Sequence, residues 1–233
     1  MCGRFTLTRS AAEVAAHFGL GSLPELAPRF NVAPTQQVPI VRVRSSGERV
    51  LEPRRWGLVP PWAKDPSAGA RMINARVESV ATRPAFRDAL RQRRCLVPAD
   101  GFYEWQGRAG QRRPHHLTLP GSTLFAIAGL YERWLGPGGE VVDSFTLLTR
   151  PARGAVAALH DRMPVIVDPE GYAAWLERAA SDPATLLAAL PQERGEGLLA
   201  RPVSARVNDV HNDDLDCLAD PVEETLPLFR APS

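Results

Sequence analysis

The sequence predicts an α+β fold of one domain, built on a strongly bent, mainly antiparallel, barrel-like sheet with short helices beside it. Short strand patterns outnumber helical ones, and the helical patterns fall between strands without the strict alternation of a β-α-β fold. No linker or internal repeat divides the 233 residues, a length that can bury a substantial core. We therefore expect a single domain over residues 1–220 and a loosely attached tail over residues 221–233.

The N-terminal half shows a short strand, a capped helix and a hairpin. Ser10-Ala11-Ala12-Glu13 is a capping-box pattern, and Gly19 follows the last apolar position of a short helix, Phe18. Ser45-Ser46-Gly47 separates two strand patterns. The next stretch is too rich in proline for regular structure and should be a long surface loop. The predicted elements are strand 5–7, helix 10–18, loop 29–35, strands 38–43 and 50–56, loop 57–71 and helix 84–91.

Strand patterns separated by glycine-rich breaks dominate the C-terminal half. The helical patterns there are short and do not alternate regularly with the strands, which again favours α+β over α/β. The predicted elements are strands 94–97, 116–119, 123–134, 141–149, 198–203 and 206–207, and helices 151–159, 170–178 and 185–190.

Composition and cysteine usage indicate a protein of a reducing compartment. Hydrophobic residues make up 44% and charged residues 23% of the chain, and no apolar run approaches the roughly 18 residues of a membrane span. Charged residues interrupt the first twenty positions, so no secretory signal is expected. Cys2, Cys95 and Cys217 form no CxxC pair, and no histidine spacing fits zinc. We expect a cytoplasmic protein with no metal, cofactor or membrane partner, and nothing indicates more than a monomer.

Charge is unevenly distributed along the chain. Residues 1–113 hold 19 Lys and Arg against 9 Asp and Glu, whereas residues 114–233 hold 9 against 17. Such asymmetry predicts a basic face that attracts a polyanion, unless the two halves interleave in the fold and their charges cancel. All basic residues except Lys64 are arginine, which suits bidentate phosphate contacts.

Cys2 is the most informative single position. If Met1 is removed, residue 2 carries a free α-amine and a thiol on adjacent carbons, and such a 1,2-aminothiol closes on an aldehyde as a five-membered thiazolidine. The two groups have reference pKa values of roughly 8.5 for the thiol and about 7.7–8.0 for the amine. The alternative is that position 2 only needs a small residue so that the methionine can be trimmed.

Two further reactive side chains lie among turn-forming residues. Glu104 follows Gly101-Phe102-Tyr103, and on a strand it would point away from its aromatic neighbours, where a partly apolar setting would raise its pKa. His160 precedes Asp161 at the end of a predicted helix and titrates closest to neutral pH. A Cys, a Glu and a His, together with an Asn, are the components of a nucleophile–base–orienter site. The alternatives are a salt-bridged glutamate and a capping or core histidine.

Polar and aromatic candidates flank the proline-rich loop. The amide of Asn74 could position a substrate, and the guanidinium of Arg76 could bind a phosphate. Trp56 and Trp62 could stack on unpaired bases. Trp56 lies at the end of a predicted strand, so its alternative is a place in the core. Trp62 lies in the loop and is the better candidate for an exposed aromatic.

These motifs together resemble one family, the SOS-response-associated peptidase (SRAP) family. Its pattern is matched in order over nearly the whole chain. The matching segments are Met-Cys-Gly-Arg-Phe, Arg-Phe-Asn-Val-Ala-Pro-Thr, Arg-Trp-Gly-Leu-Val-Pro-Pro-Trp, Asn-Ala-Arg-Val-Glu, Cys-Leu-Val-Pro-Ala-Asp-Gly-Phe-Tyr-Glu-Trp, His-Asp-Arg-Met-Pro and the late Pro-Val-Ser-Ala-Arg-Val-Asn.

The resemblance implies a nucleoid-associated sensor that forms a thiazolidine crosslink between Cys2 and an abasic site in single-stranded DNA. It implies that Asn74 bonds the Cys2 end, Glu104 orients the amine and moves protons, and His160 assists opening of the sugar ring. It further implies phosphate contacts from Arg4, Arg76 and Arg162, a DNA contact from Thr149, and positions near splayed bases for Trp56 and Trp62. At Arg150-Pro151-Ala152-Arg153 the chain departs from relatives, which have smaller polar residues there, and this could add phosphate contacts or be plain surface.

Other functions compete with this interpretation. A Met-Cys-Gly start also resembles N-terminal-nucleophile glutamine amidotransferases, but the later motifs do not fit them. Cys2, His160 and Asn74 have the composition of a cysteine-peptidase site, acting on protein substrates or only on the Met1–Cys2 bond. Arginines and tryptophans alone could also bind single strands noncovalently.

Overall fold

Two β-sheets organise the chain, and the larger of them closes into a barrel. A computed structural model describes residues 2–108, 112–177, 182–188, 190 and 197–222. The strands of these ranges are β1 (Phe5–Leu7), β2 (Arg29–Val32), β3 (Gln37–Val43), β4 (Arg49–Trp56), β5 (Asn74–Arg76), β6 (Arg94–Ala99), β7 (Gly101–Gln106), β8 (Arg113–Thr118), β9 (Phe125–Leu135), β10 (Val141–Pro151), β11 (Arg162–Pro164), β12 (Ile166–Val167) and β13 (Leu199–Pro202).

The barrel is a ring of β4, β3, β6, β9 and β10. Its neighbours are antiparallel except at the closing pair, where β10 runs parallel to β4 and aligns Phe145 with Trp56. Because β10 pairs with both β9 and β4, the sheet has no open edge there. Fully buried side chains from these strands, among them Ile40, Val97 and Ile127, fill the core. The predicted α+β fold with a bent, mainly antiparallel sheet is confirmed.

The second sheet is antiparallel throughout and has the order β13-β8-β7-β1-β2. β1 lies between β7 and β2, so the N-terminus enters the molecule through the middle of a sheet rather than along its rim. Gly101, at the start of β7, lies against His116 of β8, and a Cβ at this position would come within 2.1 Å of His116 Nε2. Only glycine allows this close approach.

Short helices cover the sheets, and the first has the predicted caps. Ser10 Oγ accepts a hydrogen bond from Glu13 N, the Glu13 carboxylate accepts one from Ser10 N at 2.9 Å, and Gly19 ends the helix with φ 63°. The helices are α1 (Ala11–Phe18), α2 (Arg87–Gln92), α3 (Gly154–Ala157), α4 (Tyr172–Leu176) and α5 (Pro183–Ala188), with 3-10 helices at Pro66–Arg71, Pro120–Ser122, Pro169–Gly171, Ala205–Asn208 and Leu215–Leu218.

Several local predictions were wrong. Arg29–Val32, predicted as loop, is β2, because its backbone pairs with β1. Residues 206–207, predicted as a strand, belong to the 3-10 helix Ala205–Asn208. The predicted surface loop 57–71 begins with four buried residues, 57–60, and ends in the 3-10 helix Pro66–Arg71.

Other elements were found with shifted ends. The predicted helix 151–159 is only Gly154–Ala157, since β10 continues to Pro151 before the helix can begin. Pro84 precedes α2 instead of forming its first turn, and the predicted helix 170–178 divides into a 3-10 turn and α4. Residues 178 and 189, and most of the predicted tail, lie outside the described ranges. The strand β7 and the short strands β5, β11 and β12 were not among the predicted elements.

The basic and acidic halves of the sequence interleave in the fold. Ion pairs join Arg29 to Asp213, Arg54 to Asp143 at 2.7 Å and Arg93 to Glu132 at 2.7 Å. Part of the charge asymmetry along the sequence is therefore cancelled in space. Within the described ranges, no helix combines the length and apolarity needed to cross a membrane.

Candidate active site

Pairing of β1 with β7 sets Cys2 beside Glu104. Phe5 aligns with Phe102, and Tyr103 N donates a hydrogen bond to Arg4 O at 3.0 Å. Continuing this antiparallel register places Gly3 level with Glu104, so the N-terminal segment runs past the carboxyl group. Cys2 itself has no exposed surface.

Asn74 holds the main chain of Cys2 from the opposite side. Its Nδ2 donates a hydrogen bond to Cys2 O at 2.9 Å. Asn74 begins β5, which runs parallel to β10 and aligns Asn74 with Leu147. The Oδ1 atom of Asn74 is buried and has no hydrogen-bond partner among the described residues. A polar atom buried beside a reactive residue is costly unless a ligand or water satisfies it, and it indicates a binding site.

Burial raises the pKa of both reactive groups. Glu104 is 2% exposed, and burial raises the pKa of its carboxyl to about 7. Burial, and then the negative charge of Glu104, raise the pKa of the Cys2 thiol well above its usual range. The carboxyl can therefore exchange a proton near neutral pH, whereas the thiol stays protonated there. A sulfur nucleophile needs a lowered thiol pKa so that it forms the thiolate. This environment instead raises the pKa of the thiol.

His160 lies in the turn after α3 as a neutral imidazole. Its Nδ1 accepts a hydrogen bond from Arg162 N at 2.9 Å, and burial lowers the pKa of the ring. The carboxylate of Asp161 lies 2.7 Å from the same Nδ1 and is the partner for the protonated form. The charge of Asp161 also contributes to the raised pKa of Glu104, so this turn faces β7.

An open cleft of about 420 Å³ is lined by Gly3, the residue that follows Cys2. In it, Trp105 Nε1 donates a hydrogen bond to Asn208 Oδ1 at 2.7 Å, and the Arg4 guanidinium lies 5.8 Å from the centre of the Trp105 ring. The positive charge of Arg112 lowers the pKa values of both Glu104 and His160, which shows that its field reaches the reactive groups. The cleft is lined by Gly3, Arg4, Trp105, Arg112 and Asn208.

Arg4 lines the cleft and also forms hydrogen bonds within the protein. Its Nη1 donates to Asn31 Oδ1 at 2.8 Å and to Val207 O at 2.7 Å. A phosphate in the cleft would therefore meet a guanidinium that is already fixed in place, with only its remaining donors available.

The other predicted phosphate ligands differ in how accessible they are. Arg76 is exposed at the end of β5, opposite Thr149 of β10. Thr149 has no exposed surface, and its Oγ1 has no hydrogen-bond partner among the described residues. Arg162 is 8% exposed and donates to both carboxylate oxygens of Glu78, at 2.7 and 2.9 Å. A phosphate would have to displace Glu78 to reach the same donors.

The two tryptophans have opposite positions. Trp56 has no exposed surface, packs on Phe5 and Phe145, and donates its Nε1–H to Ile73 O at 2.8 Å. It belongs to the core, so its predicted place near DNA bases is corrected in favour of the structural alternative. Trp62 is 63% exposed, as expected for a residue of the loop.

The family is shown by comparison with known sequences. The sequence model of the family described as "SOS response associated peptidase (SRAP)" matches residues 1–210. The chain belongs to the SRAP family. The protein named abasic site processing protein YoqW from Bacillus subtilis is 40% identical to this SRAP chain over 91% of this chain and 96% of YoqW. The abasic site processing protein HMCES of Gallus gallus is 32% identical over 97% of this chain and 80% of that protein.

Solved structures share the same fold. A protein from Bacteroides thetaiotaomicron superposes on this SRAP chain with a TM-score of 0.81 and 25% identity, covering 95% of this chain and all of that one. A protein from Bordetella bronchiseptica gives a TM-score of 0.73 at 25% identity over 87% of this chain. The overall fold is therefore common to these proteins.

Sequence reasoning missed three residues of the SRAP cleft. Trp105 was noted only as a neighbour of Glu104, although its place at the end of a strand motif was a usable signal. Asn208 lies in the late Val-Asn motif, which was matched without a role. Arg112 has no local signal, because only tertiary structure brings its charge to Glu104 and His160.

Proposed function

We propose that this SRAP protein captures abasic sites in single-stranded DNA as a covalent thiazolidine at Cys2, after Met1 has been removed. The observation that carries the proposal is the placement of Cys2 between an amide that holds its main chain and a buried carboxyl with a pKa of about 7. The abasic substrate is supported by the names of the relatives, which are abasic site processing proteins. The chemical class, an aldehyde, is the electrophile that a 1,2-aminothiol traps selectively.

The reaction balances without a cofactor. The open-chain sugar of an abasic site presents an aldehyde, and the neutral Cys2 amine adds to its carbon to give a carbinolamine. Loss of water gives the imine, and the Cys2 sulfur then bonds to the same carbon while the thiol proton moves to the nitrogen. Aldehyde and aminothiol thus become thiazolidine and one water. The amine acts first, because the raised pKa of the thiol keeps the sulfur protonated until the imine is at hand.

Each neighbouring side chain has a defined part in these steps. Glu104 accepts a proton from the Cys2 ammonium and returns it to the departing hydroxyl, two transfers that suit a carboxyl with a pKa of about 7. His160, as a neutral ring, donates a ring proton toward the sugar ring oxygen during opening. Asn74 fixes the Cys2 carbonyl and thereby the direction of the new amine. These are the roles that family resemblance assigns to the same residues.

The DNA strand is proposed to cross the site between two basic positions. Arg76 and Arg112 are exposed, and Arg4 lines the same cleft as Gly3, the residue after Cys2. Phosphate contacts of this kind supply affinity without sequence preference, which suits a sensor of missing bases. The exposed ring of Trp62 is the proposed stacking surface for an unpaired base. Single-stranded DNA is favoured because stacking needs splayed bases.

A trans-acting cysteine peptidase is the weaker alternative. Such an enzyme needs a thiolate, and burial holds the Cys2 thiol in its protonated form. Processing confined to the Met1–Cys2 bond remains compatible with the proposal, as does trimming by an aminopeptidase.

The test is a denaturing gel with single-stranded DNA that carries one abasic site. We expect a heat-stable shifted band with the wild type and none with Cys2→Ala. Cys2→Ala and Cys2→Ser both keep the α-amine, so their adducts should stop at the imine and survive heating only after reduction with borohydride. Cys217→Ser, which changes another free buried cysteine, should crosslink like the wild type. A wild-type protein that gives no band, or active protein that retains Met1 by mass spectrometry, would contradict the proposal.

A further inference from the structure

A second cleft lies where β5 and β10 end, away from Cys2. It encloses about 440 Å³ and is lined by Val77, Glu78, Arg150, Pro151, Arg153, Leu187 and Ala188. None of these residues has a part in the capture chemistry described above.

Among the described residues that line this cleft, two arginines stand against one glutamate. Glu78 is the carboxylate of its lining, and both of its oxygens already accept hydrogen bonds from Arg162. Arg150 is 6% exposed, and its pKa is lowered by burial and then by the positive charge of Arg153. Both arginines line the same cleft, and their like charges repel each other. A phosphate between them would relieve this repulsion and use the fork-shaped donors of arginine.

The cleft lies on a line that starts at the active site. Along β5 and β10, Asn74 aligns with Leu147 and the exposed Arg76 aligns with Thr149, the residue before Arg150. At about 3.3 Å per strand residue, Arg150 is roughly 10 Å beyond the level of Asn74. A strand of DNA that leaves the captured sugar in this direction passes Arg76 first and the cleft next.

We infer that this cleft binds one backbone phosphate of the DNA strand on a single side of the abasic site, with Arg150 and Arg153 as its donors. The inference rests on the proposed function for the direction of the strand. Each guanidinium carries five N–H donors, so a phosphate can bind beside the contacts that these arginines make within the protein. Because this phosphate lies on only one side of the abasic site, the footprint of the protein on the DNA is asymmetric about the lesion.

Equilibrium binding to undamaged DNA tests the phosphate contact without any crosslinking. A fluorescent oligothymidylate is titrated with wild type, with Arg150→Gln/Arg153→Gln and with Arg87→Gln/Arg91→Gln, which removes two exposed arginines from α2. The first variant should flatten the plot of log affinity against log salt by about 0.7, the value of one phosphate on a single strand, and weaken binding roughly fourfold near 0.15 M salt. Arg153→Gln alone, at an exposed position, should show part of this change with no risk to folding.

Slopes of the Arg150/Arg153 variants equal to that of the α2 control would overturn the inference, as would a wild type that does not bind the single strand. A phosphate source other than DNA is tested by adding inorganic phosphate at millimolar concentration. If inorganic phosphate binds the wild type through Arg150 and Arg153 but leaves its affinity for the oligonucleotide unchanged, the cleft is a free-phosphate site and the inference is wrong.

Truncated substrates then test the predicted asymmetry. Abasic oligonucleotides are shortened on one side or the other, and crosslinking rates are compared at 0.15 M salt. The difference between wild type and Arg150→Gln/Arg153→Gln should vanish when one particular side is removed and persist when the other is removed. Equal effects from both sides would overturn the inference. A wild type that binds undamaged strands with the expected salt slope but never crosslinks would refute only the proposed function.

Discussion

At the scale of single residues, the candidate site is defined by what burial does to two ionisable groups. Cys2 and Glu104 carry ordinary side chains, yet burial moves the pKa of the carboxyl to about 7 and that of the thiol far above neutrality. Together these shifts set the order of events that we propose, with the amine first and the sulfur last. They also protect the resting thiol from oxidation, because thiolate is the form that oxidises.

Glu104→Gln should slow crosslinking by about 100-fold or more, the usual contribution of a positioned general base. For the wild type, the rate should rise with pH through about 7, since the carboxyl accepts a proton only when ionised. The variant should lose this rise and keep only the one near pH 8 that belongs to the amine. The measurement is the initial rate of adduct formation on a denaturing gel between pH 5.5 and 9.

Glu48→Gln, at an exposed turn position between β3 and β4, is the matched control and should retain the wild-type profile. A Glu104→Gln profile that still rises through pH 7 would assign that ionisation to another group and contradict the role given to Glu104.

Trp62→Ala should weaken binding of single-stranded DNA by about 1–3 kcal/mol, the usual effect of removing one stacking platform. Because the ring is 63% exposed, the free energy of unfolding should change little. Leu135→Ala, at 66% exposure, removes a comparable exposed apolar side chain and should leave DNA affinity unchanged. Anisotropy titrations give the affinities, and equal losses in the two variants would mean that Trp62 has no specific stacking role.

At the scale of elements, residues 207–213 near the C-terminus hold β2 in place through hydrogen bonds. Asn31 of β2 is fully buried, and its Nδ2 contacts the carbonyl oxygens of Val207, Asp209 and Asn212 at 2.7–3.2 Å. Asp213 accepts hydrogen bonds from the backbone N–H groups of residues 30 and 31, at 2.6 and 2.8 Å. The cleft lined by Gly3 therefore has a wall, Asn208, that comes from more than 200 residues away in sequence.

Asn31→Ala should lower the free energy of unfolding by about 2–4 kcal/mol, because it leaves several buried carbonyl groups and one Arg4 donor without their partner. Urea denaturation followed by tryptophan fluorescence measures the change. Asn212→Ala removes a single side-chain bond, from Nδ2 to Arg206 O, and should cost less than about 1 kcal/mol. Similar losses in both variants would show that Asn31 does not organise this segment.

At the scale of the whole molecule, a buried polar network joins β1 to the strands of its sheet. Thr6 Oγ1 donates to Asp100 Oδ1 at 2.5 Å and accepts from His116 Nε2 at 3.1 Å, since its single proton goes to the carboxylate. Burial lowers the pKa of His116 to about 4, so the ring is neutral in the folded protein. The same sheet that presents Cys2 thus depends on an uncharged histidine.

The protein should lose stability on mild acidification because of His116. The folded pKa of about 4 lies below the unfolded value of about 6.5, so between these limits the unfolded chain holds a proton that the folded protein does not. The contribution of the neutral His116 ring to the free energy of unfolding is complete above pH 6.5. It declines by up to about 3 kcal/mol as the pH falls toward 4. Urea denaturation at a series of pH values should show a flatter dependence for His116→Asn.

His115→Gln, at the neighbouring position of β8, is the control and should keep the wild-type slope. If His116→Asn and the wild type lose stability in parallel between pH 6.5 and 4, the acid sensitivity belongs to the carboxylates and not to this histidine.

Prediction succeeded where information was local. The hairpin of β3 and β4, the long strands β9 and β10, and the caps of α1 follow from residue periodicity and turn chemistry. It failed where a neighbour decided the outcome. Residues 29–32 carry no strand pattern and become β2 only because β1 lies beside them, and the short strand β5 exists because β10 supplies its hydrogen bonds.

The sequence by itself determined the fold class, the family and the candidate site residues, because motifs and periodicity are properties of short stretches of chain. Tertiary structure alone decided where those residues lie and what surrounds them. It buried Trp56 and exposed Trp62, it paired Arg162 with Glu78, and it brought Arg112 to the reactive groups. Burial and charge proximity depend on which distant segments meet, and no local pattern records that.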